Sequence, residues 1–259
     1  MLTSVQNPLI KEIRKLHQSK GRRQQGLFLL EGTHLLEEAT AAGYPLVTVC
    51  YTPEWQESHP QLWQVVSQKA VRIECVSSRV LEALVTTVNP DGVVATVSRP
   101  QGQNITINRL GLALETVQDP GNLGTILRTA AGAGADGVWL SEDSVEFDHP
   151  KVLRASAGAW FRLPIGVSSN LGAEILRYQE QGVQIVATLP DAPLTYWQLN
   201  LQKPTLIILG NEGAGLSDEL VNIADQKISI PLERGVESLN VGIVAALILY
   251  EAQRQQKFG

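Results

Sequence analysis

Three short segments of this 259-residue sequence combine glycine with small polar side chains directly after, or just beyond, an apolar run. They are Gln118-Asp-Pro-Gly-Asn-Leu-Gly-Thr-Ile-Leu-Arg128, Leu209-Gly-Asn-Glu-Gly-Ala-Gly-Leu216 and Ile230-Pro-Leu-Glu-Arg-Gly-Val-Glu-Ser-Leu-Asn240. Glycine at a strand end lets backbone approach a ligand closely, and exposed N–H and C=O groups can read a flat heterocycle without side chains. Taken singly, each segment is equally a tight strand-to-helix turn. In the helix expected after Pro120, residues Leu123, Ile126, Leu127, Ala130 and Ala131 form the apolar stripe and Arg128 falls outside it. Its guanidinium is therefore either solvated or a phosphate clamp, beyond helix N-terminal amides near Asn122 that favour anions.

Other chemistries are excluded by spacing. A literal G-x-G-x-x-G occurs at Gly132 to Gly137, but it closes a helix and opens a strand, the reverse of a dinucleotide fingerprint. It reads as a helix C-cap and turn. There is no G-x-x-x-x-G-K-[ST] loop and no G-x-S-x-G elbow. His17, His34, His59 and His149 have no i, i+4 partner or cysteine neighbour, so no metal site is expected. Cys50 and Cys75 lie outside any C-x-x-C, which suits a reducing cytoplasm. The apolar run Val241 to Tyr250 has ten residues, about half of the ~20 that span a bilayer. The start lacks the apolar region and cleavage site of an export signal, so a cytoplasmic protein is expected.

The elements that must position these residues read as α/β throughout. With 44% apolar and 18% charged residues, the chain can bury a substantial core. Asn7-Pro8 is an N-cap followed by Pro at the first helical position, and Leu9, Ile10, Ile13 and Leu16 recur at helical spacing. One short amphipathic helix is expected there, decorated by Lys11, Arg14, Lys15, Lys20, Arg22 and Arg23 against Glu12 alone. The formal net charge is −5, yet residues 1–98 hold nine basic and nine acidic side chains, so this stripe stands on a neutral module. It is either a phosphate-backbone footprint or a solvated helix face. Strands and helices then alternate to residue 98, a Pro, Gly and amide-rich stretch starting at Arg99 marks a linker over 99–109, and alternation resumes over 110–259. Continuous apolar runs such as Thr205-Leu-Ile-Ile-Leu209 suit a parallel sheet covered on both faces. The final helix, from about Leu239, is apolar nearly all round through Tyr250.

N-L-G-x-I-x-R-T-A in the first segment, P-K-V-x-R-A-S-A-G-A at Pro150 to Ala159, L-G-N-E-G-x-G-L in the second and I-P-x…E-S-L-N-V in the third resemble the SpoU-type (TrmH-like) 2′-O-ribose RNA methyltransferases of the SPOUT superfamily. S-x-Q-N-P-x-I-K-x-I-R-K-L and G-x-F-L-L-E-G resemble the small substrate-binding domain of their ribosomal RNA members. The resemblance implies a small α/β domain over 1–98 that binds RNA and a catalytic α/β domain over 110–259 tied in a deep trefoil knot, working as a homodimer. It implies S-adenosyl-L-methionine as cofactor. The implied pocket is Thr188, Leu189, Pro190, Leu209, Gly210, Asn211, Glu212, Gly213, Ile230, Pro231, Leu232, Ser238, Leu239 and Asn240. It makes Arg128 the central catalytic residue, helped by Asn122, Glu212, Ser238 and Asn240, with Lys11, Arg14, Lys15, Lys20, Arg22 and Arg23 as the RNA stripe. A guanidinium stays protonated, which suits Arg128 to anchoring phosphate and steadying charge rather than to acting as a free base. A bulky side chain at Gly210 or Gly213 is expected to remove cofactor binding. Transfer RNA as substrate, or a non-catalytic ribosome-associated RNA-binding role, are the alternatives. The sequence departs from the usual third motif at Pro231-Leu-Glu-Arg-Gly-Val-Glu237.

Overall fold

A computed structural model describes residues 1–100 and 104–258, so the expected linker falls partly on residues 101–103, outside the described residues. In chain order the elements are α1 (Pro8–Lys15), α2 (Ser19–Gln25), β1 (Leu27–Glu31), α3 (Thr33–Ala41), β2 (Leu46–Tyr51), α4 (Pro53–Ser58), α5 (Pro60–Lys69), β3 (Arg72–Cys75), α6 (Ser78–Leu84) and β4 (Val93–Ser98). There follow β5 (Leu110–Leu114), α7 (Pro120–Ala133), β6 (Gly137–Ser141), α8 (Pro150–Ser156), β7 (Ile165–Ser168), α9 (Leu171–Glu180), β8 (Gln184–Thr188), β9 (Leu194–Thr195), β10 (Thr205–Leu209), α10 (Asp218–Ile223), β11 (Gln226–Ser229) and α11 (Val241–Phe258). The chain divides into two compact units, Met1–Gln101 with Glu146–Phe161, and Gly102–Val145 with Arg162–Gly259. The segment Glu146–Phe161 thus groups with the first unit, although it lies within residues 110–259.

The first unit is built on a four-stranded mixed sheet, order β1-β4-β2-β3. Asn7 caps α1 by accepting from the Leu9 N–H at 2.9 Å, and Ile10, Ile13 and Leu16 bury against Val80, Leu81 and Leu84 of α6. The single basic helix expected from the sequence is two. After Lys15 the chain turns, and α2 begins at Ser19 so close to α1 that a Cβ on Gly21 would lie 1.9 Å from the Lys15 carbonyl oxygen. This turn carries Arg22 inward. It is 2% exposed, donates from Nε to Asp148 at 3.1 Å and from Nη1 to the Leu16 and His17 carbonyls, and also pairs with Glu146. Asp148, fully buried, accepts a second bond from Arg99 at 2.6 Å. Glu31 on β1 binds Arg154 of α8 and the Thr86 N–H and hydroxyl, while Trp160 stacks among Phe28, Tyr44 and Phe147.

The second unit is a seven-stranded sheet, order β7-β6-β5-β10-β8-β11-β9, in which every strand pairing is parallel among the described residues. Its central strands β5 and β10 are buried along their whole length, as continuous apolar runs require. Ala113, Ile185, Leu206 and Ile208 meet Leu171, Ile175 and Tyr178 of α9 in one core. Ile105 and Ile107, which the sequence places in the linker, are buried in the same core, and the Tyr178 hydroxyl donates to the Ile105 carbonyl at 2.6 Å. Gly134 ends α7 in the left-handed conformation (φ 75°), as the turn reading of Gly132 to Gly137 expects. Among the described residues no helix is long and apolar enough to cross a membrane.

Candidate functional site

Parallel strands put all their carboxyl ends on one edge, and the polar glycine segments begin there. After β10 the chain folds back on itself between Asn211 and Gly215, each backbone N–H bonding the other's carbonyl at 2.9–3.0 Å. The Asn211 amide fills this turn. Its Oδ1 accepts from the Gly213 and Ala214 N–H groups, and its Nδ2 donates to the Thr116 carbonyl at 2.8 Å. Gly210 is the tight point: a Cβ there would lie 2.3 Å from the Gly215 backbone, whereas one on Gly213 would meet Asn211 at an ordinary 3.7 Å. Gly210 is thus fixed by the loop's own packing, whereas Gly213 lines the cavity with room for a Cβ against the protein.

Asp119 caps α7, accepting from the Asn122 N–H at 2.8 Å, with Pro120 at the first helical position. Above this N-terminus Glu212 accepts from the Gln118 and Asp119 N–H groups at 3.4 and 3.3 Å and from Asn122 Nδ2 at 3.0 Å. A carboxylate only accepts, so the Asn122 amide must turn its oxygen the other way. There it accepts from Asn240 Nδ2 at 2.8 Å, and Asn240 Oδ1 in turn accepts the Gly242 N–H at the start of α11. Both amides are thereby oriented from their two ends. Burial pushes the Glu212 carboxyl up, but the bonds from Asn122 and the loop amides outweigh it and hold it below the usual carboxylate value. Glu212 is therefore a pinned anion that holds the Asn122 amide in place.

These loops enclose a cavity of about 530 Å³. Of the fourteen residues implied for the cofactor pocket, thirteen line it: Thr188, Leu189, Pro190, Leu209, Gly210, Asn211, Glu212, Gly213, Ile230, Leu232, Ser238, Leu239 and Asn240. Pro231 lies outside the lining, between Ile230 and Leu232, which belong to it. Asn122 joins the wall, while Arg128 does not; it is exposed on α7, with no hydrogen-bond or ion-pair partner among the described residues.

Residues 109–250 match the SpoU rRNA Methylase family, and residues 7–95 match the MRM3-like substrate binding domain. The chain belongs to the SpoU rRNA methylase family. It is 48% identical over 257 residues to an uncharacterized tRNA/rRNA methyltransferase of Synechocystis sp., covering 98% of this chain and 94% of that protein. It is 31% identical to the 23S rRNA (guanosine(2553)-2′-O)-methyltransferase RlmP of Bacillus subtilis, covering 96% and 97%. An AdoMet-bound rRNA methyltransferase from Sinorhizobium meliloti superposes with a TM-score of 0.86 at 30% identity, covering 100% of this chain and 98% of that one.

The cavity of this SpoU methylase fits S-adenosylmethionine on its own chemistry. Its volume is in the range of small-molecule sites. Leu209, Ile230, Leu239 and Val244 offer an apolar slot, and the strand-end loops offer backbone donors and acceptors. The Thr188 hydroxyl oxygen is buried in the wall with no hydrogen-bond partner, a polar atom that a bound ligand would satisfy. Gly215, Glu237, Val241 and Val244 also line the cavity, beyond the set the motifs imply. The 3.6-residue period could have found Val241 and Val244, since they follow Asn240 on one face of α11.

The basic stripe is divided. Lys11, Arg14, Lys15, Lys20 and Arg23 are exposed, with Lys15 bonded to Glu12 and Arg23 to Glu146, both at 2.7 Å. Arg22 is withdrawn from the stripe: it is buried, and four of its five N–H donors are taken by Asp148, Glu146 and two carbonyls.

Proposed function

We propose that this protein transfers a methyl group from S-adenosylmethionine to the 2′-oxygen of a ribose in RNA, with ribosomal RNA as the substrate. The observation that carries this reading is the meeting of three strand-end loops and the Glu212–Asn122–Asn240 relay at one cavity, in a chain of the SpoU family. Bound cofactor supplies an electrophilic sulfonium methyl. The chain's contribution is position: the two locked amides present a fixed donor and acceptor pattern to the ribose, and a fixed approach can supply much of the acceleration. Arg128, exposed beyond the wall, is free to hold the adjacent phosphate and steady charge developing on the attacking oxygen. A knotted threading of the last strands and α11 is part of this reading.

The first unit supplies the RNA affinity that an acidic catalytic unit lacks, through Lys11, Arg14, Lys15, Lys20 and Arg23. We place the protein in the cytoplasm, as a homodimer. Ile243 and Tyr250 on α11 are 49% and 51% exposed and lie with half-buried Leu247 on one face of the helix, an apolar stripe that a symmetric copy would cover. Sedimentation at micromolar concentration giving a single 28.2 kDa species would count against the dimer.

The match of residues 7–95 to a substrate binding domain favours ribosomal over transfer RNA. The activity is tested by mapping ribose methylation across ribosomal RNA with and without the gene. One 2′-O-methyl group should vanish in its absence and return when the purified protein acts on that RNA with labelled cofactor. An unchanged map, with label appearing only in transfer RNA, would transfer the assignment there.

A further inference from the structure

Two side chains on segments adjoining the cavity wall are left unused by the reaction above. β9 pairs with β11 so that Thr195 lies opposite Ser229, and the Tyr196 N–H continues the ladder to the Ser229 carbonyl at 3.0 Å. Trp197 is therefore one residue beyond the point where the chain leaves Ser229 for cavity-lining Ile230. The turn that holds it is closed twice, by Gln198 N–H to the Thr195 carbonyl and by the Thr195 N–H and hydroxyl to Gln198 Oε1. Tyr196, 7% exposed, supports the indole at a ring separation of 5.0 Å, yet Trp197 itself is 60% exposed. Trp55, Trp139 and Trp160 are all buried and Trp63 is half-buried. A rigidly backed tryptophan left in water, one residue beyond the ladder that leads to a cavity wall, calls for an occupant.

The loop leaving Ile230 supplies the second group. Ile230 and Leu232 face the cavity, while Glu233 to Val236 form an outward turn, closed by the Val236 N–H to the Glu233 carbonyl at 3.2 Å with Gly235 at φ 87°. Arg234 sits on that turn, exposed and with no hydrogen-bond or ion-pair partner among the described residues. It is the one basic residue between Ile230 and Asn240. An aromatic face and an unpaired guanidinium, on the segments that leave the paired strands β9 and β11, match the two surfaces every nucleotide of a single strand offers, a base to stack and a phosphate to pair.

We propose that Trp197 and Arg234 form a docking rim for the RNA strand at the cavity mouth, with Trp197 stacking a base next to the methylated nucleotide and Arg234 holding a phosphate. The proposal rests on the RNA methylation reading and adds the residues that position its substrate. Trp197→Ala and Arg234→Ala should each raise the half-saturating concentration of unmethylated ribosomal RNA by about fivefold or more, the size of a lost base stack or its equivalent. Cofactor affinity and the rate at saturating RNA should stay within about twofold, and Trp197→Phe should keep most of the RNA affinity because it keeps an aromatic face. A single-stranded oligoadenylate of about ten nucleotides should also protect the exposed tryptophan of the wild type from iodide quenching. RNA saturation unchanged in both alanine variants overturns the rim. So does a dimer that Trp197→Ala dissolves without RNA, since the indole would then belong to an interface between copies. If the wild type methylates no ribosomal RNA while oligoadenylate still shields Trp197, the reaction falls and the rim stands.

Discussion

Gly210 and Gly213 stand three residues apart in one glycine-rich loop and have opposite tolerances. A methyl group at Gly210 meets backbone that cannot move aside, the Gly215 carbonyl and the Leu216 nitrogen at 2.3 and 2.6 Å. Gly210→Ala should therefore open the Asn211–Gly215 turn at a cost of about 1–3 kcal/mol and abolish cofactor binding, whereas Gly213→Ala should bind as wild type does; calorimetry with S-adenosylmethionine separates them. Arg128 makes the complementary case. It is exposed, so replacing it should change stability by no more than about 0.5 kcal/mol, while single-turnover methyl transfer at saturating RNA and cofactor should fall about 100-fold. Arg128→Lys should fall nearly as far, because it keeps the charge and loses the planar fork. Wild-type rates in both variants would falsify a catalytic Arg128. The family resemblance made most of the cavity legible in the sequence, since each glycine-rich segment taken alone reads equally as a tight turn. Arg22 was not legible: its partners Glu146 and Asp148 lie 124 and 126 residues away, and in a basic run it looks like its exposed neighbours.

At the scale of elements, length decided what could be read. Helices with caps and long apolar strands have strong periods, whereas β7 and β9, of four and two residues, are too short to show one. The turn between α1 and α2 is set by the close approach of Gly21 to Lys15, a packing fact with no local signature. Its consequence is a basic stripe with two classes of residue. Neutralising Arg14, Lys20 and Arg23 should weaken RNA binding and flatten its salt dependence, by a log–log slope of about 0.7–0.9 for each phosphate no longer neutralised. Arg22→Ala should instead lower the melting temperature. The same corner predicts a pH dependence. Burial pushes the Glu146 carboxyl up, but bonds from Ser19 and Arg23 and the charge of Arg22 prevail and hold it below its ordinary value of 4.5. A carboxyl depressed in the folded state stabilises above its unfolded value and loses that contribution as pH falls through its folded value. The melting temperature should thus drop more steeply below about pH 5 in the wild type than in Glu146→Gln, as followed by circular dichroism. Parallel slopes would remove Glu146 from the acid response.

At the scale of the molecule, α/β alternation follows from patterning, but the return of Glu146–Phe161 to the first unit does not, because no local period records which distant core a segment joins. That return makes a strong claim about residues 1–98, which read in sequence as a self-sufficient module. Without the returning segment, Arg22 loses Asp148 and Glu146, Glu31 loses Arg154, and the Phe28 and Tyr44 rings lose Trp160. Leaving one member of a buried ion pair without its partner costs about 3–5 kcal/mol, against a total stability of about 5–15 kcal/mol for a whole domain. Two such losses consume most of that margin. A fragment of residues 1–98 should therefore show no cooperative thermal transition under conditions where the full chain melts sharply. Arg22→Met together with Glu31→Gln in the fragment should recover part of the transition, since both stranded charges are then gone. A wild-type fragment that melts cooperatively near the temperature of the full chain would mean that the buried pairs are dispensable and that the module closes without residues 146–161.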